Sequence, residues 1–117
     1  NISGADFLIM GDRSQLEQVL QNIIQNAIDS FENETGSDKF IDTKLQQEKR
    51  ELRIINNGKP IPEEIKPHLF SPFYTTKVDG NGIGLMLTSE ILQKHKCKYS
   101  LGTYNGITSF KIRFSKR

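Results

Sequence analysis

The residues with the clearest capacity for chemistry lie in a glycine-rich run, GNGIGL, at residues 80–85. Its three glycines within five positions let the backbone approach a ligand closely, because no Cβ intervenes and positive φ is accessible. An apolar helical pattern follows, and the free N–H groups at a helix start favour anions. Lys77 adds a positive charge just upstream. The run therefore predicts a turn that could hold a phosphate group, although these residues also suit an ordinary turn.

Three asparagines form a second group of candidates. Asn22 and Asn26 are one helical turn apart, so their side chains lie on the same side of a helix. They could complete the coordination of Mg²⁺ beside phosphate oxygens and water, or simply form a solvated polar face. Strand alternation places Asn56 on the same face as Leu52 and Ile54, toward the interior. A buried amide needs a hydrogen-bond partner, which a nucleobase edge or a neighbouring loop could supply.

An amphipathic helix is expected to carry the first two asparagines. Asp12, with Gln15 three positions later, matches a capping box and predicts the helix start. Apolar residues then recur at three- and four-residue steps, as on the core-facing side of a helix. They are Leu16, Val19, Leu20, Ile23, Ile24, Ala27, Ile28 and Phe31. Residues 32–38 contain no apolar side chain and are predicted to form a loop.

Alternating patterns predict two β-hairpins and a second helix. The predicted strands cover residues 40–45, 51–57, 99–103 and 107–114. The second helix is expected from residue 83 to about residue 95, after a proline-punctuated stretch that allows one short helical turn at residues 63–66. This order predicts an α+β fold, a two-layer α/β sandwich whose mixed, mostly antiparallel sheet is covered on one face by helices.

Composition narrows the class of protein. A chain of 117 residues suits one domain, and a formal net charge of +2 is too balanced to favour nucleic acid or an anionic membrane as the main partner. The single cysteine, Cys97, excludes an internal disulfide and is expected to pack in the interior. No apolar run approaches the length of a membrane span, so the domain itself is expected to be soluble. The expected location is the cytoplasm, where it could also form the cytoplasmic part of a membrane-anchored sensor. Because the chain starts at Asn1 without an initiator methionine, we expect a piece of a longer protein.

The order of these motifs resembles the ATP-binding catalytic domain of bacterial sensor histidine kinases. Two asparagines on an early helix, Asn56-x-Gly58 at a strand end, LFSPFYTTK at residues 69–77 and GNGIGL occur in that family's order and spacing. The resemblance covers residues 11–114 and extends to the superfamily of gyrase, heat-shock chaperone and mismatch-repair ATPases. It implies a Bergerat-type fold and transfer of the γ-phosphoryl group of ATP to a histidine on a dimerisation domain outside this chain.

The resemblance also assigns roles to individual residues. Asn26 corresponds to the asparagine that binds Mg²⁺, and Asn22 to the polar residue one turn before it. Asn56 and Gly58 would contact the adenine, whereas Lys77 would reach the phosphates from a short lid. The implied catalytic residues are Asn22 and Lys77. The implied ATP site comprises Asn22, Asn26, Asn56, Gly58, Ile61, Lys77, Gly80, Asn81, Gly82, Ile83, Gly84 and Leu85.

Two departures from the family pattern, and one difference from the related ATPases, have chemical consequences. Asn56 replaces the usual aspartate, and Pro60 replaces a glycine and stiffens the turn. A neutral amide accepts less strongly than a carboxylate, so adenine binding should be weakened but not abolished. Asn22 occupies the position where related ATPases have a general-base glutamate. Since an amide cannot take up a proton, phosphoryl transfer to another nucleophile is expected instead of hydrolysis.

The resemblance implies partners as well as a reaction. They are the protein's own dimerisation domain, which would make the full-length protein a homodimer, and a response regulator, with no nucleic acid and no direct membrane contact. Neither His68 nor His95 lies in the family's phospho-acceptor context. Two alternatives remain open at this stage: a nucleotide-sensing or protein-interaction module with impaired catalysis, and a related serine protein kinase.

Overall fold

In the described part of the chain, five strands form one sheet and two helices pack against it. The computed structural model describes residues 2–4, 9–31, 38–64 and 84–115. In chain order the elements are β1 (Ile2–Gly4), α1 (Arg13–Asp29), β2 (Ile41–Gln46), β3 (Glu51–Asn56), α2 (Gly84–Lys94), β4 (Lys98–Tyr104) and β5 (Ile107–Arg113). The strand order is β1-β2-β3-β5-β4, with β1 parallel to β2 and all other pairs antiparallel. The predicted α+β sandwich is confirmed.

Helix α1 begins and ends as its sequence indicates. The side chain of Asp12 accepts a hydrogen bond from the backbone N–H of Gln15 at 2.9 Å, which satisfies one of the unpaired donors of the first turn. At the other end, the N–H of Ser30 donates to the carbonyl of Asn26 at 3.0 Å. Burial repeats with helical spacing at Val19, Ile23 and Ala27, so this stripe faces the sheet.

The hydrophobic core lies between the helical layer and one face of the sheet. Its buried members are Val19, Ile23, Ile54, Ile91, Leu92, Cys97, Phe110 and Ile112. Burial raises the pKa of the Cys97 thiol to about 11, so the sulfur stays protonated near neutral pH and acts as a packing residue, as expected. Neither described helix combines the length and the apolar character that a bilayer crossing would need.

The strand β1 was not predicted from the sequence. It contains three residues, which is too few to show a period of two. Gly4 has φ of 103°, and a Cβ at this position would overlap the carbonyl oxygen of Leu45 on β2. Glycine is therefore required for β1 to approach its neighbour. In the stretch expected to form a short helical turn, residues 63–64 form a turn and residues 65–66 lie outside the described residues.

A buried acidic residue lies on the sheet face opposite the helices. Glu51 is 4% exposed, and its two carboxylate oxygens lie 3.1 Å from Arg53 Nη2 and 3.3 Å from Arg113 Nη2. Burial alone raises the pKa of the Glu51 carboxyl, but the hydrogen bonds from Arg53 and Arg113, together with the charges of Arg53 and Lys111, outweigh it. The pKa therefore lies below its ordinary value, and the folded state favours the ionised carboxylate.

Replacing Glu51 with glutamine should lower the free energy of unfolding by roughly 1 kcal/mol near neutral pH, because two charge-assisted hydrogen bonds are lost. The folded-state pKa is depressed, so this contribution is complete above the ordinary value of 4.5 and is lost as pH falls through the folded-state value. Urea unfolding at about pH 7 and about pH 3 would measure it, with Glu48→Gln in the exposed β2–β3 turn as control. A difference that persisted undiminished in acid would contradict this assignment.

Candidate functional site

The two helix asparagines lie on the polar edge of α1, and both are half-buried. The Nδ2 of Asn22 donates to the hydroxyl of Thr88 on α2 at 3.4 Å, and Thr88 itself is fully buried. Asn26 lies one turn further along the helix. Ser30, the C-cap residue directly after α1, lies one turn beyond that, so all three are on the same side of the helix. Four-residue steps from position 22 to position 30 give a polar row about 12 Å long.

At the end of this row, Ser30 meets Asn56 from the end of β3. Asn56 is 5% exposed, and its Oδ1 accepts the backbone N–H of Gly58 at 2.8 Å. The Ser30 hydroxyl lies 3.2 Å from the same Oδ1 and 2.6 Å from the carbonyl oxygen of Ala27. The expected inward direction of Asn56 is confirmed by its burial. The sequence analysis considered a nucleobase edge and a neighbouring loop as partners of this amide. The loop provides a hydrogen bond through the N–H of Gly58.

Gly58 permits the close approach of the β3 end to α1. A Cβ at this position would overlap the Ser30 hydroxyl and lie 2.8 Å from Ser30 Cβ and 2.9 Å from its carbonyl oxygen. That carbonyl accepts the N–H of Lys59 at 2.8 Å, so the loop after β3 follows the end of the helix. The small size of glycine, and not an unusual φ, is what this contact requires.

One further contact holds the same loop against the sheet. The backbone N–H of Ile61 donates to the hydroxyl of Thr103 at 2.9 Å, and Thr103 shares a hydrogen bond of 2.7 Å with Thr108. Thr108 is buried and is the register partner of Asn56 on β5. The side chain of Ile61 is half-buried. The loop that carries Gly58 and Ile61 therefore stretches from the end of β3 across to β4.

Several residues that build this region were not predicted from the sequence. Asn57 has no role in the sequence analysis beyond the end of a predicted strand, yet its amide accepts from the N–H of Phe40 at 3.0 Å and donates to the carbonyl of Asp38 at 2.7 Å. The partners of Ser30 and Thr103 are 26 and 42 residues away along the chain. A single sequence carries no signal for such pairings. Only the NG pair at residues 57–58 indicated that the backbone turns here.

Only the last two residues of the glycine run, Gly84 and Leu85, lie within the described residues. Gly84 is the first residue of α2, and the side chain of Leu85 is half-buried against the core cluster. The expectation that GNGIGL opens directly into a helix is thus confirmed. The remaining predicted site residues of this region lie outside the described residues; they are Lys77, Gly80, Asn81, Gly82 and Ile83.

His95 is occupied in a structural role at the end of α2. Its Nε2 accepts the backbone N–H of Asp12 at 3.0 Å, so the proton must be on Nδ1, which lies 2.8 Å from the carbonyl oxygen of Ile91. Both ring nitrogens are therefore engaged within the chain. That His95 is no phospho-acceptor stays a prediction, and His68 lies outside the described residues.

Comparison with known proteins gives a consistent result. Residues 11–117 match the family described as "Histidine kinase-, DNA gyrase B-, and HSP90-like ATPase". Sporulation kinase A of Bacillus subtilis is 34% identical over 110 residues, which cover 93% of this chain and 18% of that protein. Sensor histidine kinase FlgS of Helicobacter pylori is 41% identical over 100 residues, which cover 82% and 24%. The chain thus spans less than a third of either relative.

Solved structures of one histidine kinase are also similar over nearly the whole chain. The catalytic domain of histidine kinase ThkA superposes with a TM-score of 0.78 at 33% identity, covering 98% of this chain and 75% of that one. ThkA in complex with the response regulator protein TrrA gives a TM-score of 0.74 at 29% identity, covering all of this chain and 33% of that one.

Proposed function

Because this chain belongs to the family of histidine kinase-, DNA gyrase B- and HSP90-like ATPases, we propose that it is one domain that binds Mg-ATP and supplies its γ-phosphoryl group to a histidine. The observation that carries this proposal is the polar row of Asn22, Asn26 and Ser30 on α1. The row joins the first turns of α2, which follow the glycine run, to the buried amide of Asn56. A nucleotide along this row would have its phosphates near α2 and its base near β3.

The donor set at the middle of the row suits a hard cation. Within the described residues there is no group of three or more His, Cys, Asp or Glu side chains that could hold a metal ion. A Mg²⁺ ion would instead take the amide oxygen of Asn26 together with phosphate oxygens and water. When bound, Mg²⁺ neutralises charge on the β- and γ-phosphates. The role of Asn26 is then to fix where the triphosphate lies.

The other site residues are assigned complementary roles. Lys77 and the glycine run at residues 80–85 would hold the phosphates, while Asn56, Gly58 and Ile61 would surround the base. Asn22 has no proton-accepting group, so it would orient the phosphate end without activating water. Placement of the γ-phosphoryl group in line with an incoming nucleophile then provides most of the rate enhancement.

We further propose that the acceptor histidine lies on a dimerisation domain of the full-length protein. The support is that this chain covers only 18% of sporulation kinase A and 24% of FlgS, which leaves most of those kinases outside the matched region. A response regulator is proposed as the next acceptor of the phosphoryl group, because the similar kinase ThkA forms a complex with the response regulator protein TrrA.

Mg-ATP should bind to the isolated chain with measurable heat in calorimetry, yet the chain alone should not become labelled by radioactive ATP. Adding the dimerisation domain of its full-length protein should produce label that is stable in base and lost in acid, as expected for phosphohistidine. The same domain with its histidine replaced by alanine is the control. Absence of saturable binding at millimolar nucleotide, or efficient labelling of the isolated chain, would contradict the proposal.

A second candidate is a nucleotide-sensing module that does not transfer phosphate. The observation in its favour is that the amide oxygen of Asn56 already accepts a hydrogen bond from the N–H of Gly58. A site with weakened base binding could report nucleotide concentration without supporting turnover. Saturable binding of Mg-ATP with no transfer to the dimerisation domain would favour this candidate, whereas base-labile label on a protein partner would favour a serine kinase.

A further inference from the structure

The orientation of the Asn56 amide is determined by its neighbours. A backbone N–H can only donate, so the atom 2.8 Å from the nitrogen of Gly58 must be the acceptor, Oδ1. The Ser30 hydroxyl lies 3.2 Å from the same atom, although its single proton is shared with, or given to, the carbonyl of Ala27 at 2.6 Å. Turning the amide over would place Nδ2 against the N–H of Gly58, which would leave two donors facing each other.

The other end of the amide is a donor, Nδ2. Within the described residues, Asn56 Nδ2 makes no hydrogen bond. The residue as a whole retains 5% of its exposure. What Asn56 presents away from Gly58 and Ser30 is thus an N–H₂ group.

We propose that Asn56 presents a hydrogen-bond donor to position 6 of a bound purine, so that this site takes 6-oxopurine nucleoside triphosphates at least as well as ATP. The inference rests on the proposed function, which places a nucleotide base beside Asn56. The 6-amino group of adenine is a donor and would meet a second donor in Nδ2. The 6-oxo group of hypoxanthine or guanine is an acceptor and would pair with it.

An aspartate at position 56 would reverse this preference. One carboxylate oxygen would keep the hydrogen bond from the N–H of Gly58, and the other would accept from the adenine amino group. The same oxygen would face O6 of a 6-oxopurine, where two acceptors repel each other. Leaving one buried polar group without a partner costs enough to change the affinity about tenfold. Position 56 therefore determines which purine is preferred.

The test compares ATP with ITP, which differ in the base only at position 6 and in the proton on N1. Dissociation constants of both Mg-nucleotides are measured by calorimetry for the wild-type chain, for Asn56→Asp and for Gln47→Glu. The last variant makes the same amide-to-carboxylate change in the exposed β2–β3 turn. The ratio Kd(ITP)/Kd(ATP) should be one or lower for the wild type and for Gln47→Glu, and should rise about tenfold or more in Asn56→Asp.

A third nucleotide keeps the test decisive if Asn56→Asp does not fold. Purine riboside triphosphate has hydrogen at position 6, so it lacks the conflicting donor and should bind the wild-type chain no more weakly than ATP. A wild-type preference for ATP of about tenfold over both analogues would overturn this inference and leave the proposed function intact. Absence of saturable binding of all three nucleotides at millimolar concentration would overturn both.

Discussion

Replacing Asn26 with alanine is expected to slow phosphoryl transfer to the dimerisation domain by roughly 100-fold or more, because the proposed Mg²⁺ site would lose the amide oxygen assigned to it. The fold should be retained, since the N–H of Ser30 bonds to the backbone carbonyl of Asn26, which alanine keeps. Alanine is also the best helix former. Radioactive transfer assays at saturating Mg-ATP would measure the loss.

Gln21→Ala is a suitable control for Asn26→Ala, because Gln21 is an exposed amide on the same helix and has no assigned role at the site. Its transfer rate should match that of the unchanged chain within about twofold. Thermal unfolding of each variant separates loss of chemistry from loss of fold. If Asn26→Ala kept its full rate at every Mg²⁺ concentration, the assignment of Asn26 as the metal ligand would have to be abandoned.

Replacing Gly58 with alanine is expected to destabilise the fold by roughly 1–3 kcal/mol, because the added methyl group would be forced into Ser30. The clash involves both the side chain and the carbonyl oxygen of Ser30, so no rotamer change can relieve it fully. Displacing the loop would also weaken the hydrogen bond from Gly58 to Asn56. Urea unfolding would measure the change in stability, and calorimetry the change in nucleotide affinity.

A double-mutant cycle with Ser30→Gly tests the cause of that destabilisation. Removing the Ser30 side chain deletes two of the three atoms that the new Cβ would meet, so Gly58→Ala should cost less in that background. Gly106→Ala is a useful comparison. A Cβ there meets nothing within 4 Å, and its cost would come only from a φ of 78°. Strictly additive effects of Gly58→Ala and Ser30→Gly would show that the contact is not responsible.

Much of the fold could be predicted because its elements carry local signals. The Asp12 cap and the apolar stripe from Leu16 determine α1, and alternating residues determine the four antiparallel strands. The parallel strand β1 is different, because its three residues are too few for a pattern and its pairing depends on the backbone of Leu45. The pairing of β1 depends on the free edge that β2 offers, and three residues of local sequence cannot indicate that edge.

The site was predictable in its residue types but not in its hydrogen bonds. Spacing alone indicated that Asn22 and Asn26 share a side of α1 and that Asn56 points inward. It could not indicate that Asn22 bonds to Thr88 across 66 residues, or that Ser30 lies against Asn56. Nor could it orient the amide of Asn56, since that depends on the N–H of Gly58. These features arise only once helices and sheet have packed together.

The two helices are joined at two separate levels. His95, directly after α2, accepts the N–H of Asp12 at the start of α1, and Asn22 on α1 donates to Thr88 on α2. A single attachment would leave α2 able to tilt about one point, whereas two attachments along its length fix its direction relative to α1. A displacement of α2 would therefore be transmitted to α1 at both contacts, so the two helices would move over the sheet together.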